Sequence, residues 1–214
     1  WVDYRKQMAC KREILERMAE AFFRRGGDQE APFREFLRSD PEQVRFARFR
    51  AAMEQTGRPW REWPAAVEKR VRQAGWDGPG VRYHLYAQWA AERQMRSLAA
   101  RCRESGVHLC LDLPLGIHPD GYDAWRWKDL FVQGMASGAP PDVFFTQGQN
   151  WGIPPLHPER IREEGYRYLR ACLAKAMGPA GLLRVDHVMG LHRLFWIPRG
   201  FPPAQGVYVR YPAE

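Results

Sequence analysis

Gly181-Leu182-Leu183-Arg184-Val185-Asp186-His187 is the stretch on which the reading of this chain turns. Leu182, Leu183 and Val185 follow a glycine and read as a short buried strand, with the polar residues gathered at its far end. Side chains alternate between the two faces of a strand, so Arg184 and Asp186 share a face, a guanidinium beside a carboxylate. Such a neighbour favours the ionised carboxylate. The heptapeptide alone leaves two readings open. One is a structural Arg–Asp pair closing a strand; the other is a nucleophile, because α/β enzymes keep reacting carboxylates at the C-terminal ends of buried parallel strands.

Upstream, Val107-His108-Leu109-Cys110-Leu111-Asp112-Leu113 reads as a second buried strand, stopped by Pro114, with Asp112 near its C-terminal end. A loop-rich stretch from Pro114 to Pro158 follows, and a connection that long is functional or an inserted subdomain. Pro158 then opens a helix to about Met177 with Ile161, Leu169, Cys172 and Leu173 inward, ended by Gly178-Pro179. Strand, long loop, helix, strand is a βαβ order, which requires parallel strands and a right-handed crossover. Asp112 and Asp186 then lie at one edge of one sheet, facing the long loop. A last strand-like piece runs from Val207 to Tyr211.

Before Gly106 the pattern is helical. Asp3 caps a helix to about Arg25 with Ile14, Leu15, Met18 and Phe22 on one stripe. A short helix covers Pro32 to Arg38, and Ser39-Asp40-Pro41-Glu42 starts a third that carries Phe46, Phe49 and Met53 before Gly57. In the stiff link Gly57 to Pro64, Trp60 and Trp63 either stack on sugar or pack against neighbouring helices. Further helices are expected over Pro64 to Ala74 and, after the turn Trp76-Asp77-Gly78-Pro79-Gly80, over Val81 to Ser105 with Ala91, Met95, Leu98 and Cys102 as its buried face.

The 214 residues are long enough for a real core, and 45% apolar with 13% aromatic residues supports a folded domain. The net charge of +8 is uneven: residues 1–106 carry 22 basic against 15 acidic side chains, residues 107–214 carry 11 against 10. The basic residues are interleaved with acidic ones, which describes a solvated face better than a nucleic-acid patch. Cys10, Cys102, Cys110 and Cys172 form no C-x-x-C pair and no metal spacing with the six His, a usage that suits reduced thiols in a cytoplasmic protein. No apolar run approaches membrane-spanning length, no charged-then-apolar leader precedes a cleavage site, and the chain begins at Trp1 without Met, as an excerpt of a longer protein would.

Five motifs then occur in order: Asp112-Leu113-Pro114-Leu115-Gly116, His118-Pro119-Asp120-Gly121-Tyr122-Asp123-Ala124-Trp125, Gly138-Ala139-Pro140-Pro141-Asp142, Gly148-Gln149-Asn150-Trp151-Gly152-Ile153-Pro154-Pro155, and Leu183-Arg184-Val185-Asp186-His187-Val188-Met189-Gly190. Together they resemble the 4-α-glucanotransferase (amylomaltase, disproportionating enzyme) family. Leu194–Gly200 and Gln205–Tyr211 extend the likeness, which covers nearly all of 106–211 and less distinctly Gly57–Trp60 and Tyr83–Trp89. The resemblance implies an α/β fold, a partial (β/α)8 TIM barrel. Residues 1–105 would be a helical insertion subdomain, and residues 106–214 would hold the third and fourth strands. It implies that Asp186 is the nucleophile, with Arg184 beside it and His187 on the bound sugar. Asp120 matches a substrate-contacting aspartate, Gln149 and Trp151 line the donor site, and Pro141 to Gln147 match a mobile loop over the groove.

This chemistry agrees with the residues. Retaining glycosyl transfer needs one ionised carboxylate to attack the anomeric carbon and one protonated acid for the leaving oxygen. Trp151 and Phe144 suit the apolar face of glucose, while Gln149, Asp120 and His187 can hydrogen-bond its hydroxyls, and Asp112 faces the same edge. Excluding water decides between transfer and hydrolysis, a purpose for the loop before Gly148. The expected ligands are maltooligosaccharides and α-1,4-glucans, with no metal or organic cofactor required. The family's acid/base glutamate sits in a Gly-Glu-Asp-Leu-Gly strand that is absent here, and Glu214 is not in that context, so these 214 residues alone are expected to lack transferase activity. Half a barrel also leaves strand edges unpaired, which makes the isolated piece poorly soluble unless they are covered. Taken singly, Trp151 could be a packing anchor, His187 a residue satisfied by a neighbour, and Asp120-Gly121 a plain turn. The competing assignments are an amylase-clan hydrolase or branching enzyme, separable by products from maltotriose, an Arg-rich helical nucleic-acid module suggested by 28 Arg to 5 Lys, and an inactive glucan binder.

Overall fold

The computed structural model describes residues 1–73, 75, 77–114 and 116–212. The expected turn residue Trp76, the helix end Ala74, Leu115 of the first motif and Glu214 lie outside the described residues. The chain divides into two compact units, residues 1–97 and 98–214.

The first unit is helical: α1 (Tyr4–Arg24), α2 (Ala31–Ser39), α3 (Glu42–Thr56), α4 (Ala65–Arg72) and the greater part of α5 (Pro79–Glu104). Asp3 caps α1 by accepting the Lys6 backbone N–H at 3.0 Å, as its position ahead of the periodic stretch predicts. The core is aromatic. Phe22 of α1 lies 4.7 Å from Trp89 of α5 and 5.3 Å from Phe33 of α2, ring centre to ring centre, in tilted arrangements. Ala19, Phe36, Ala47, Ala51, Val81, Leu85 and Tyr86 are the other buried members of the cluster. A buried Phe33 contributes about 2–3 kcal/mol of transfer free energy.

Two expected helix faces are corrected. On α1, Leu15, Ala19 and Phe22 turn inward, whereas Ile14 and Met18 are exposed. On α5 the buried residues are Val81, His84, Leu85, Tyr86, Trp89 and Ala99, while Ala91, Met95 and Leu98 are exposed and Cys102 is half-buried. Apolar spacing of 3.6 sets a stripe's pitch, but the neighbours the helix meets set which stripe is covered. Trp63 takes the packing option: its indole N–H donates to Thr56 Oγ1 at 3.1 Å and its ring lies 5.3 Å from Phe49. One charged group ties three helices together. Glu54 of α3 accepts from both terminal guanidinium nitrogens of Arg12, at 2.8 and 3.0 Å, and meets His84 Nε2 of α5 at 2.9 Å.

In the second unit α5 ends at Gly106, whose φ of +68° is the left-handed conformation a helix terminus of this kind needs, and Val107 N–H closes back onto Cys102 O at 2.8 Å. The strands are β1 (Cys110–Leu113), β2 (Met135–Ala139), β3 (Gln149–Ile153), β4 (Leu182–Val185), β5 (Arg193–Pro198) and β6 (Val207–Arg210). β1 and β4 form a parallel pair with Asp112 opposite Arg184 and Leu113 opposite Val185. The other four make an antiparallel sheet in the order β3-β2-β5-β6.

Three further expectations are corrected here. The strands expected over Val107–Leu113 and Leu182–His187 are shorter, and they alternate between exposed and half-buried, Leu182 being 60% exposed. Among the described residues each pairs only with the other, so neither is covered as a central parallel strand would be. The stretch 114–158 is not merely loop, for it contains α6 (Tyr122–Arg126), β2 and β3. The helix expected from Pro158 to Met177 is two, α7 (Pro158–Glu163) and α8 (Arg167–Met177), broken where Gly165 and Tyr166 both take positive φ. The break leaves Ile161 buried and lets α8 pack on β1 and β4. A second core joins Leu130, Phe131 and Tyr168 with Leu169 and Cys172, and the Tyr168 hydroxyl donates to Asp123 at 3.0 Å. Burial, reinforced by Asp123, pushes that phenol well above its ordinary range.

Candidate active site

The C-terminal ends of β1 and β4 carry three charges on one face. Register puts Asp112 across from Arg184, and the period of two puts Asp186 on the same side just past β4. The Arg184 guanidinium bridges the two carboxylates, donating through Nη1 to Asp112 Oδ2 and through Nη2 to Asp186 Oδ1, the latter at 2.6 Å. The bond to Asp112 and its charge, then the charge of Asp186, push Arg184 above its ordinary range. All three side chains are open to solvent, about half or more exposed (59%, 55% and 48%). The arrangement is therefore a presented charge cluster rather than a buried ion pair. The Asp186 backbone N–H donates to Leu113 O at 3.0 Å, so the last rung of the parallel ladder holds the candidate nucleophile's backbone.

His187 follows in a left-handed conformation, φ 46° and ψ 47°, one of two non-glycine residues with positive φ among those described. Such a backbone costs on the order of 1–3 kcal/mol and persists where surroundings over-determine it. Its ring meets Trp151 edge to face, centroids 5.1 Å apart at 81°. Trp151 in turn donates its indole N–H to Gln149 Oε1 at 3.0 Å. Gln149 and Trp151 are two apart on β3 and share a face of that strand. Gly116 makes room for this sheet, since a Cβ there would sit 2.2 Å from Cγ2 of Ile153, the last residue of β3.

Thus six of the eight residues singled out in the sequence join one chain of contacts: Asp112, Arg184, Asp186, His187, Trp151 and Gln149. The other two stand on separate turns. Asp120 is half-buried ahead of α6, with its backbone N–H donating to His118 Nδ1 at 3.0 Å. Phe144 is 87% exposed, at the tip of a loop where Asp142 Oδ1 accepts the N–H groups of Phe144 and Phe145 at 2.8 and 2.6 Å. Asn150, not among those eight, accepts the Gly152 N–H through Oδ1 at 2.9 Å and shapes the strand around Trp151. The Asn-x-Gly spacing was its only visible signal. Among the described residues no group of three or more His, Cys, Asp or Glu is placed to hold a metal ion, and no helix is long and apolar enough to cross a membrane.

A family model described as 4-alpha-glucanotransferase matches residues 1–214. The 4-alpha-glucanotransferase of Mycobacterium tuberculosis is 40% identical over 173 residues, 78% of this chain and 24% of that protein. The enzyme of the same description from Thermus thermophilus is 31% identical over 170 residues, 74% of this chain and 34% of that protein. In structure, amylomaltase from Corynebacterium glutamicum superposes with a TM-score of 0.73 at 32% identity, over 87% of this chain and 26% of that one. Amylomaltase from Streptococcus agalactiae, solved in complex with acarbose, shares the fold with a TM-score of 0.87 at 22% identity, over 99% of this chain and 45% of that one. The chain spans about a quarter of the length of the mycobacterial relative. A match over all 214 residues, with relatives at 31–40% identity, establishes that the chain belongs to the 4-alpha-glucanotransferase family.

Proposed function

We propose that residues 106–214 form the third- and fourth-strand segment of a (β/α)8 barrel, that residues 1–105 are a helical subdomain inserted in it, and that the chain carries the nucleophile half of a retaining glucan-transfer site. The observation that carries this reading is Arg184 bridging Asp112 and Asp186 at the C-terminal ends of two parallel strands, with His187 and Trp151 alongside.

In the proposed reaction an Asp186 oxygen attacks the anomeric carbon of an α-1,4-glucan. The glycosidic C–O bond breaks, and the leaving 4-oxygen takes a proton from an acid. The glucosyl ester on Asp186 is then attacked by the 4-hydroxyl of an acceptor sugar, which returns its proton to that acid's conjugate base and frees Asp186. Arg184 donates to one oxygen of the attacking carboxylate and so aims it. His187, Gln149 and Asp120 meet sugar hydroxyls, and Trp151 and Phe144 offer apolar faces to the rings. The proton donor is not among these residues, which contain no Gly-Glu-Asp-Leu-Gly segment. The reaction as written calls for no metal or organic cofactor. Maltooligosaccharides are the expected substrates, and free thiols at all four cysteines suit a cytoplasmic setting.

The test is product analysis on maltotriose with the complete protein and its Asp186→Asn variant. The parent should yield glucose with longer oligosaccharides, and the variant should lose transfer by at least about a thousandfold. Transfer that survives Asp186→Asn would overturn the assignment, and shorter sugars alone from the parent would make it a hydrolase.

A further inference from the structure

Trp151 sits in an interruption of the β2–β3 ladder. The two strands pair Ala139 with Gln149 and Gly138 with Asn150, and the next pair is Ser137 with Ile153. One step along β2 is therefore matched by three along β3, and Trp151 and Gly152 are the two surplus residues of a bulge. Such an irregularity bends its strand and re-aims the side chain it carries. Three features hold this one in a single shape. Gly152 takes a φ of +67° with open space around its α-carbon, so glycine is needed there for conformation and not for room. The Gly152 N–H, which can only donate, meets Asn150 Oδ1 at 2.9 Å and closes a turn across Trp151. Both flanks are tight: a Cβ on Gly138 would lie 2.1 Å from the Gln149 backbone oxygen, and one on Gly116 would lie 2.2 Å from Ile153 Cγ2. The ring that emerges from this turn meets His187 edge to face at 5.1 Å, and His187 follows Asp186 in sequence.

Resting on the proposed glucan-transfer reading, we infer that Asn150 is a positioning residue of this site: its side-chain oxygen closes the two-residue bulge, and the closed bulge aims the Trp151 ring at His187. The effect of Asn150 on transfer passes through Trp151. Aspartate can fill the same place, because the acceptor oxygen is what the turn uses, whereas a side chain of similar size without that oxygen cannot.

Asn150→Leu removes the acceptor at similar size, and Asn150→Asp keeps it. The complete protein is labelled with 5-fluorotryptophan, the Trp151 resonance is identified by its loss in Trp151→Ala, and maltotriose disproportionation is followed for kcat and KM. In Asn150→Leu the Trp151 resonance should shift and kcat/KM should fall about tenfold, as an aim that depends on one hydrogen bond implies. Asn150→Asp should return both toward the parent. In a Trp151→Ala background, Asn150→Leu should cost less than about twofold, because the ring it aims is gone. An unmoved resonance in Asn150→Leu, an Asn150→Asp protein no better than Asn150→Leu, or an undiminished loss in the Trp151→Ala background would each overturn the inference. The resonance is read without any turnover, so a failure of the glucan-transfer reading, seen as transfer that survives Asp186→Asn, is distinguishable from a failure of this one.

Discussion

Neutralising Glu54 is the perturbation whose size follows most directly from the helical unit. Burial alone would raise this carboxyl, but the hydrogen bonds from His84 and then Arg12, with their charges, outweigh it and bring it from an ordinary 4.5 down to about 2. A folded-state value below the unfolded one means that the contribution to stability is complete above pH 4.5 and is lost as pH falls toward 2. The difference corresponds to about 3 kcal/mol for a fully shielded group. The Glu54 side chain is 34% exposed, so screening by water reduces this to about 1–2 kcal/mol. Rather more than half of that is gone by pH 3, which makes about 1 kcal/mol the measurable quantity. Urea unfolding of the parent and of Glu54→Gln at pH 6 and pH 3 should show the parent's advantage shrinking by that amount, while the slope with urea stays common to both. Arg12 and His84 lose their shared acceptor in the variant, so a part of the loss independent of pH is expected on top. An advantage that is the same at both pH values would refute the claim that this carboxylate is held ionised by its two partners.

Two other substitutions probe how the fold serves the site. Arg184→Lys replaces a planar fork that reaches two carboxylates with a single ammonium that cannot hold both in the same geometry. The group is exposed, so unfolding should change little while kcat for transfer falls about a hundredfold; an unchanged kcat would remove Arg184 from the mechanism. Gly138→Ala places a Cβ 2.1 Å from the Gln149 backbone oxygen and 2.5 Å from Ile197 Cδ1. Neither neighbour can swing away freely, so destabilisation near the upper end of about 1–3 kcal/mol is expected in urea unfolding, with a loss of transfer because the displaced oxygen belongs to Gln149. A variant as stable and active as the parent would contradict the close β2–β3 approach.

Much of this protein is written in local signals. The Asp3 cap, the end of α5 at Gly106, and the strand that delivers Arg184 and Asp186 to one face were all readable, because capping, φ preference and strand alternation depend on residues a few positions apart. The motif order was specific enough to indicate the family and to bring forward six residues that meet in space. Tertiary structure alone decided which stripes of α1 and α5 are covered, since Ile14, Met95 and Leu98 have the right spacing and face no core. It alone decided that the loop-rich stretch folds into a second sheet. Met135-Ala136-Ser137-Gly138-Ala139 has little intrinsic strand preference, and it becomes β2 because β3 and β5 supply hydrogen-bonding partners on both sides. It also decided that Arg184 answers to Asp112 as well as to Asp186. That pairing spans 72 residues and exists only once two parallel strands are in register, a nonlocal fact that no window of sequence contains.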